Sequence, residues 1–67
     1  MKTIEDVQVE IIDKDVNEAS QIARESGFRI RVMKRDGIGM RGTMDFRKDR
    51  INVETLSDVV TDILSIG

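Results

Sequence analysis

The sequence contains no cysteine, histidine, tryptophan or proline, and its only aromatic residues are two phenylalanines. Disulfide bonds, thiolate nucleophiles, imidazole acid–base chemistry and the usual zinc sites are therefore excluded. Three aspartates, Asp36, Asp45 and Asp49, lie in one stretch. Carboxylates without histidine or cysteine beside them do not make a familiar catalytic or metal-binding set. We therefore expect the protein to have no enzymatic activity, no cofactor and no metal site.

Charged residues are distributed unevenly along the 67 residues. The formal net charge of −2, from 13 acids and 11 bases, argues against an extended nucleic acid as partner. Residues 1–20 hold six acids and two bases, whereas residues 29–50 hold eight bases and three acids. An acidic N-terminal part thus precedes a locally basic middle.

The length indicates a single small domain, residues 1–67, with one core, because so short a chain removes only about 60% of its unfolded surface from water. Its start, MKTIEDVQVE, lacks the apolar stretch of a signal peptide, and no run approaches the ~20 apolar residues of a membrane helix. We expect a protein that is cytoplasmic as made and has no membrane partner.

The first half of the chain predicts one strand and one helix. Apolar and polar residues alternate over residues 7–11, which is typical of a half-buried strand. Asp15 and Glu18 then have the spacing of a capping box, and an apolar stripe at helical spacing follows them. Gly27 stands where a left-handed residue ends a helix. We therefore expect a strand, then a helix of roughly three turns.

The second half predicts more strands around a long loop. Alternation over residues 28–33 and 50–54 predicts strands, and residues 59–66 suit a final strand, although a short helix would also match. Residues 34–49 lose the alternation and contain three glycines. The predicted fold is α+β: one helix packed on a small mixed β-sheet, with a long exposed loop between the central strands. An exposed edge strand also makes a homo-oligomer an option.

The long loop is where we look for function, because binding residues are disproportionately on loops held by a rigid scaffold. A solvated connector would explain its glycines and charges. It would not explain Met40, Met44 and Phe46, which are apolar and have no obvious core to enter.

The loop and its surroundings resemble a known inhibitor family. The stretches DVNEASQIARESG, FRIRVM, GTMDFRKDRINVE and the final IG, which together span about residues 15–67, resemble the potato inhibitor I family of eglin-like and barley chymotrypsin-inhibitor-like proteins. TMDFRKDR is similar to the pattern of a threonine, an apolar residue, an acid and two spaced arginines at that family's reactive loop. The resemblance implies a substrate-like inhibitor of subtilisin- or chymotrypsin-like serine proteases.

The resemblance also implies a role for individual residues. Met44 would enter the primary specificity pocket of the protease, and Met44-Asp45 would be the reactive bond. Arg50 and Asn52 would support the loop, although Asn52 stands where many members have a second arginine. The connection KRDGIGMRG is longer than is usual in the family. The predicted reactive loop comprises Gly42, Thr43, Met44, Asp45, Phe46 and Arg47.

A second interpretation uses the basic residues of the same loop to bind a small anionic ligand such as a nucleotide, or an acidic protein partner. Glycine backbone amides and guanidinium groups both suit anions. The stretch GIGMRG lacks the lysine and the serine or threonine of a phosphate-binding P-loop, so the glycines alone are a weak signal. The predicted anion-binding residues are Arg35, Arg41, Arg47 and Lys48.

Overall fold

In the computed structural model, which describes residues 2–40 and 46–67, two helices pack against a four-stranded mixed sheet. The strand order is β2-β1-β3-β4. The two central strands, β1 and β3, are parallel, and the two outer pairs are antiparallel. The α+β class and the mixed sheet are confirmed. The elements are α1 (Ile4–Ile11), α2 (Val16–Glu25), β1 (Arg29–Arg35), β2 (Ile38–Gly39), β3 (Arg50–Leu56) and β4 (Val59–Ile66).

The strand predicted over residues 7–11 is wrong, because these residues belong to helix α1. Thr3 and Asp6 form a reciprocal capping box: the Thr3 hydroxyl oxygen accepts from the Asp6 N–H, and the Asp6 carboxylate accepts from the Thr3 N–H. Val7 and Ile11, four positions apart, are fully buried on one side of the helix, whereas Val9 is 78% exposed. The fold therefore has two helices where one was predicted.

Helix α2 begins and ends where the sequence predicted. The Asp15 carboxylate accepts from the Asn17 N–H at 2.9 Å and so caps the first turn. At the other end Gly27, with φ +83°, donates to the Arg24 carbonyl, and the Phe28 N–H donates to the Ala23 carbonyl. These two bonds are the Schellman pattern that satisfies the last carbonyls of a helix.

The predicted long loop is shorter than expected, because β1 extends to Arg35 and a hairpin follows. Asp36 and Gly37 both have positive φ, +51° and +83°, as a two-residue turn of type I′ requires. The chain then pairs back along β1, with Ile38 opposite Arg35 and Gly39 opposite Lys34. Residues 34–40 are exposed, as predicted, but six of the positions that were expected to be irregular, residues 34–39, belong to a hairpin.

The core lies between the helices and the sheet. Strand β3 contributes Ile51 and Val53, both 0% exposed, because alternate residues of a strand face the same side. Asn52, between them, points to the opposite side, which we call the outer face of the sheet. The other fully buried apolar residues are Val7, Ile11, Ala19, Ala23 and Val60. Within the described residues no helix is both long and apolar enough to cross a membrane.

Candidate functional site

Both flanks of the predicted reactive loop are fastened to the sheet. On the incoming side, the Met40 N–H donates to the Met33 carbonyl at 2.8 Å, which continues the β1–β2 ladder. On the outgoing side, the Arg50 N–H donates to the Arg47 carbonyl at 3.3 Å and closes a turn into β3. Residues 41–45 lie outside the described part of the chain, and with them four of the six predicted reactive-loop residues and one of the four predicted anion-binding residues: Gly42, Thr43, Met44 and Asp45, and Arg41.

Two side chains of β3 converge on one carbonyl oxygen at the end of β4. The Arg50 Nε donates to the Gly67 oxygen at 3.0 Å, and the Asn52 Nδ2 donates to the same oxygen at 2.9 Å. The Gly67 N–H in turn donates to the Arg50 carbonyl at 2.9 Å. Because amide and guanidinium hydrogen bonds both meet there, Gly67 is held against the start of β3.

Asn52 is the most buried polar residue of this arrangement, with 6% of its surface exposed. Its Nδ2 donates a second hydrogen bond, 3.1 Å long, to the Ser65 hydroxyl oxygen. Its Oδ1 is buried and, among the residues that the structure describes, has no hydrogen-bond partner. With its Nδ2 alone, Asn52 therefore ties Ser65 of β4, and Gly67 just after that strand, to β3.

Phe46 covers the same glycine from the loop side. Its ring is 68% exposed and does not enter the core. A Cβ built on Gly67 would lie only 2.9 Å from two carbons of this ring, and Gly67 has φ +151°, a conformation that favours glycine. We call Phe46, Arg50, Asn52 and Gly67 the loop base, since they join the outgoing flank of the loop to the two C-terminal strands.

The outer face of the sheet next to the loop base is basic. Arg29 is the register partner of Arg50, and Arg31 is the register partner of Asn52. Alternation over residues 28–33 predicted the strand, but it did not predict that Arg29 and Arg31 lie beside Arg50 and Asn52. That neighbourhood depends on the parallel pairing of β1 with β3.

The described members of the predicted anion site do not come together. Arg47 and Lys48 lie in the turn before Arg50, which is level with Arg29 at the start of β1. Arg35 is at the other end of that strand, roughly 20 Å away at ~3.3 Å per residue. Arg35 and Lys48 are therefore at opposite ends of β1, and the three described residues do not form one cluster.

A different groove brings two other arginines together, and the sequence analysis missed it. It measures about 540 Å³ and lies between the end of α2 and the start of β1. Arg24 and Arg29 line it together with Phe28 and Ser20. Asp49 also lines the groove. Among the residues that the structure describes, it forms no ion pair with Arg24 or Arg29. Nothing in the sequence pattern indicated this groove, because it depends on the angle at which the Schellman turn joins α2 to β1.

The described residues contain no group of three or more carboxylates placed to hold a metal ion. No protein-family model matches the chain. Over 38 residues it is 47% identical to a protein of Acanthamoeba polyphaga mimivirus named "Uncharacterized protein R610". The match covers 57% of this chain and 11% of the viral protein, so the chain spans only about a tenth of that relative's length.

Proposed function

We propose that the protein is a substrate-like inhibitor of subtilisin- or chymotrypsin-like serine proteases, which presents Met44 to the primary pocket and Met44-Asp45 as the reactive bond. The observation that supports it most directly is the convergence of Arg50 and Asn52 on the Gly67 oxygen. The similarity of TMDFRKDR to the reactive loop of the potato inhibitor I family supplies the residue roles.

The loop base matters to such an inhibitor because a loop that is already ordered loses little entropy on binding. This chain has no disulfide to provide that order. The flanks of the loop are instead ordered by the hydrogen bonds at Gly67, by the Phe46 ring on the same glycine, and by the hydrogen bond between Met40 and Met33. In the proposed complex, an Asp45–Arg50 pair would add a charge-assisted hydrogen bond beside the reactive bond.

The strands on either side of the loop support the same role. The loop follows the edge strand β2, which pairs with β1, and leads into the central strand β3. Its outgoing end is therefore continuous with a strand that has a neighbour on both sides, and its incoming end with a strand that is paired on one side. Met44, an unbranched and polarisable side chain, suits the apolar primary pocket of a chymotrypsin- or subtilisin-like enzyme.

A titration of the protein against subtilisin and chymotrypsin tests the proposal. We expect inhibition that Met44→Gly weakens roughly ten- to a hundredfold, since burying a methionine side chain contributes about 1.5–3 kcal/mol. Met44→Leu should keep most of the inhibition. Met33→Leu is the matched control, because it changes a methionine of β1 outside the loop. If the parent inhibits neither enzyme at micromolar concentration, the proposal fails for these classes.

The groove between α2 and β1 favours a second candidate, the binding of a small anion with an apolar body. Arg24 and Arg29 would pair with the anionic group while Phe28 contacts the rest of the ligand. Thermal melts with nucleotides and with inorganic phosphate test it: stabilisation should disappear in Arg24→Ala and Arg29→Ala and persist in Arg35→Ala, at the far end of β1. If the stabilisation disappears only in Arg47→Ala, the anion binds at the loop and not in the groove. If none of the ligands raises the melting temperature, this candidate is excluded.

A further inference from the structure

The β1–β2 hairpin exposes apolar side chains that the fold does not use. Ile38 is 72% exposed and Met40 45% exposed. They lie two positions apart, so they point to the same face of the hairpin. Strand β2 is at the edge of the sheet and has β1 as its neighbour on one side. We call Ile38 and Met40 the hairpin patch.

The hairpin patch is held in a defined place. The type I′ turn at Asp36 and Gly37 sets the pairing of the two strands. Asp36 also fixes the turn from outside, because its carboxylate accepts from the Ser57 N–H at 2.8 Å and its N–H donates to the Thr55 carbonyl at 2.9 Å. A partner that contacts the patch therefore has little chain entropy to remove.

The patch is also within reach of anything that binds Met44. Three residues lie between Met40 and Met44, and an extended chain spans at most about 3.6 Å per residue, so the Cα atoms of Met40 and Met44 are within about 15 Å of each other. A standard protein–protein interface covers about 800 Å² of each partner, a patch roughly 30 Å across. A protease centred on Met44 thus extends to Met40, and Ile38 is two residues further along the hairpin.

We infer that the hairpin patch is a second contact surface for the same protease, beside its primary pocket. This inference rests on the proposed inhibitor function. The matching protease surface is an apolar depression with a carboxylate at its border, because the exposed Arg35 stands opposite Ile38 in the hairpin. Burial of Ile38 there contributes affinity, and the charge of Arg35 accelerates association.

Inhibition constants of a small set of variants test the inference. Ile38→Ser should weaken inhibition of the protease roughly tenfold, as expected for an aliphatic side chain that is buried on binding. Val9→Ser is the matched control, because Val9 is similarly exposed but belongs to α1. It should leave inhibition unchanged. Arg35→Gln should slow association at low salt and have little effect at high salt.

The variants also separate the inference from the function on which it rests. If Met44→Gly weakens inhibition as expected while Ile38→Ser inhibits as tightly as the parent, the inhibitor function stands and the second contact surface is overturned. If the parent inhibits no serine protease, both fall. Thermal melts of Ile38→Ser and Val9→Ser should match, and a weakening of inhibition that merely follows a lower melting temperature in Ile38→Ser would also overturn the inference.

Discussion

The carboxylate of Asp36 accepts a 2.8 Å hydrogen bond from the backbone N–H of Ser57, and so joins two hairpin turns that lie 21 residues apart in the sequence. Both turns have positive φ at their two central positions: Asp36 and Gly37 in the first, Ser57 and Asp58 in the second. The turns thus support each other at one end of the sheet, and the loop base closes the other end.

Asp36→Ala should lower the free energy of unfolding by about 1–3 kcal/mol, because it removes the acceptor for the Ser57 N–H and places alanine at positive φ. Urea denaturation followed by circular dichroism measures the change. Asp36→Asn is the matched control, since asparagine keeps an acceptor oxygen and tolerates this conformation. Equal losses in the two variants would contradict the role assigned to the hydrogen bond.

The turn between β3 and β4 is occupied by residues that disfavour its backbone conformation. Ser57 and Asp58 have φ of +50° and +64°, whereas Asn-Gly is the preferred pair for such a turn. The double change Ser57→Asn with Asp58→Gly should raise the free energy of unfolding by about 1 kcal/mol. The backbone bond from the Val16 N–H to the residue 58 carbonyl remains possible. Asp58→Ala should give no such gain, and thermal melts distinguish the two.

Thr55 carries a hydroxyl group that the core does not satisfy. Its side chain is 1% exposed, and Oγ1 has no hydrogen-bond partner within residues 2–40 and 46–67. Thr55→Val keeps the shape and removes the buried hydroxyl, so the free energy of unfolding should rise by about 1 kcal/mol. Thr55→Ser, which keeps the hydroxyl and loses a methyl group, should lower it. A destabilised valine variant in chemical denaturation would argue that the hydroxyl is hydrogen-bonded.

Asn52→Ala should loosen the loop base. It removes the hydrogen bonds to the Gly67 oxygen and the Ser65 hydroxyl, at a cost of about 1–3 kcal/mol in the free energy of unfolding. Ser65→Ala removes only one of these bonds and should cost less. If the protein is an inhibitor, Asn52→Ala should also be cleaved faster by its target protease, which gel analysis over time would measure. Equal effects of the two variants would exclude the bond to Gly67 as the important one.

Stability should also depend on the pair between Lys2, which precedes α1, and Glu10, which is near the end of that helix. The Lys2 Nζ lies 2.8 Å from the Glu10 carboxylate, and this hydrogen bond raises the pKa of Lys2 above its ordinary 10.5, with a smaller contribution from the attraction of nearby acids. The folded state therefore gains stability below pH 10.5 and loses that gain as the pH rises through the higher value. Lys2→Met should be less stable than the parent at neutral pH and equally stable at strongly alkaline pH. A difference that does not change with pH would count against the pair.

Elements with both a capping signal and a regular apolar pattern could be predicted from the sequence. Helix α2 has Asp15 at its start and Gly27 at its end, and β3 alternates cleanly from Arg50. Helix α1 was missed because Val9 completed a false alternation with Val7 and Ile11. Val9 is exposed, and the cap is a threonine–aspartate pair rather than the commoner threonine–glutamate. Short apolar segments of this kind fit either period.

The β1–β2 hairpin was predictable in principle. Asp36-Gly37 flanked by β-forming residues is a strong short-range hairpin signal. The charges and additional glycines around it led to the interpretation of the segment as an irregular loop. The loop base was only half predictable. Arg50 and Asn52 followed from the resemblance of one segment, but their common acceptor, Gly67, depends on the register of β4, which has irregularities at two places. Sequence patterns do not fix such shifts.

The loop divides the chain into two parts that pair through β1 and β3. The part before the loop contains both helices, β1 and β2, and the part after it contains β3 and β4, yet residues of both parts form the core. The two parts also share the ladder that runs from Arg29 and Arg50 to Arg35 and Thr55. Severing the chain between Met40 and Phe46 would thus leave two fragments that the shared core and the β1–β3 ladder hold together as a bimolecular complex.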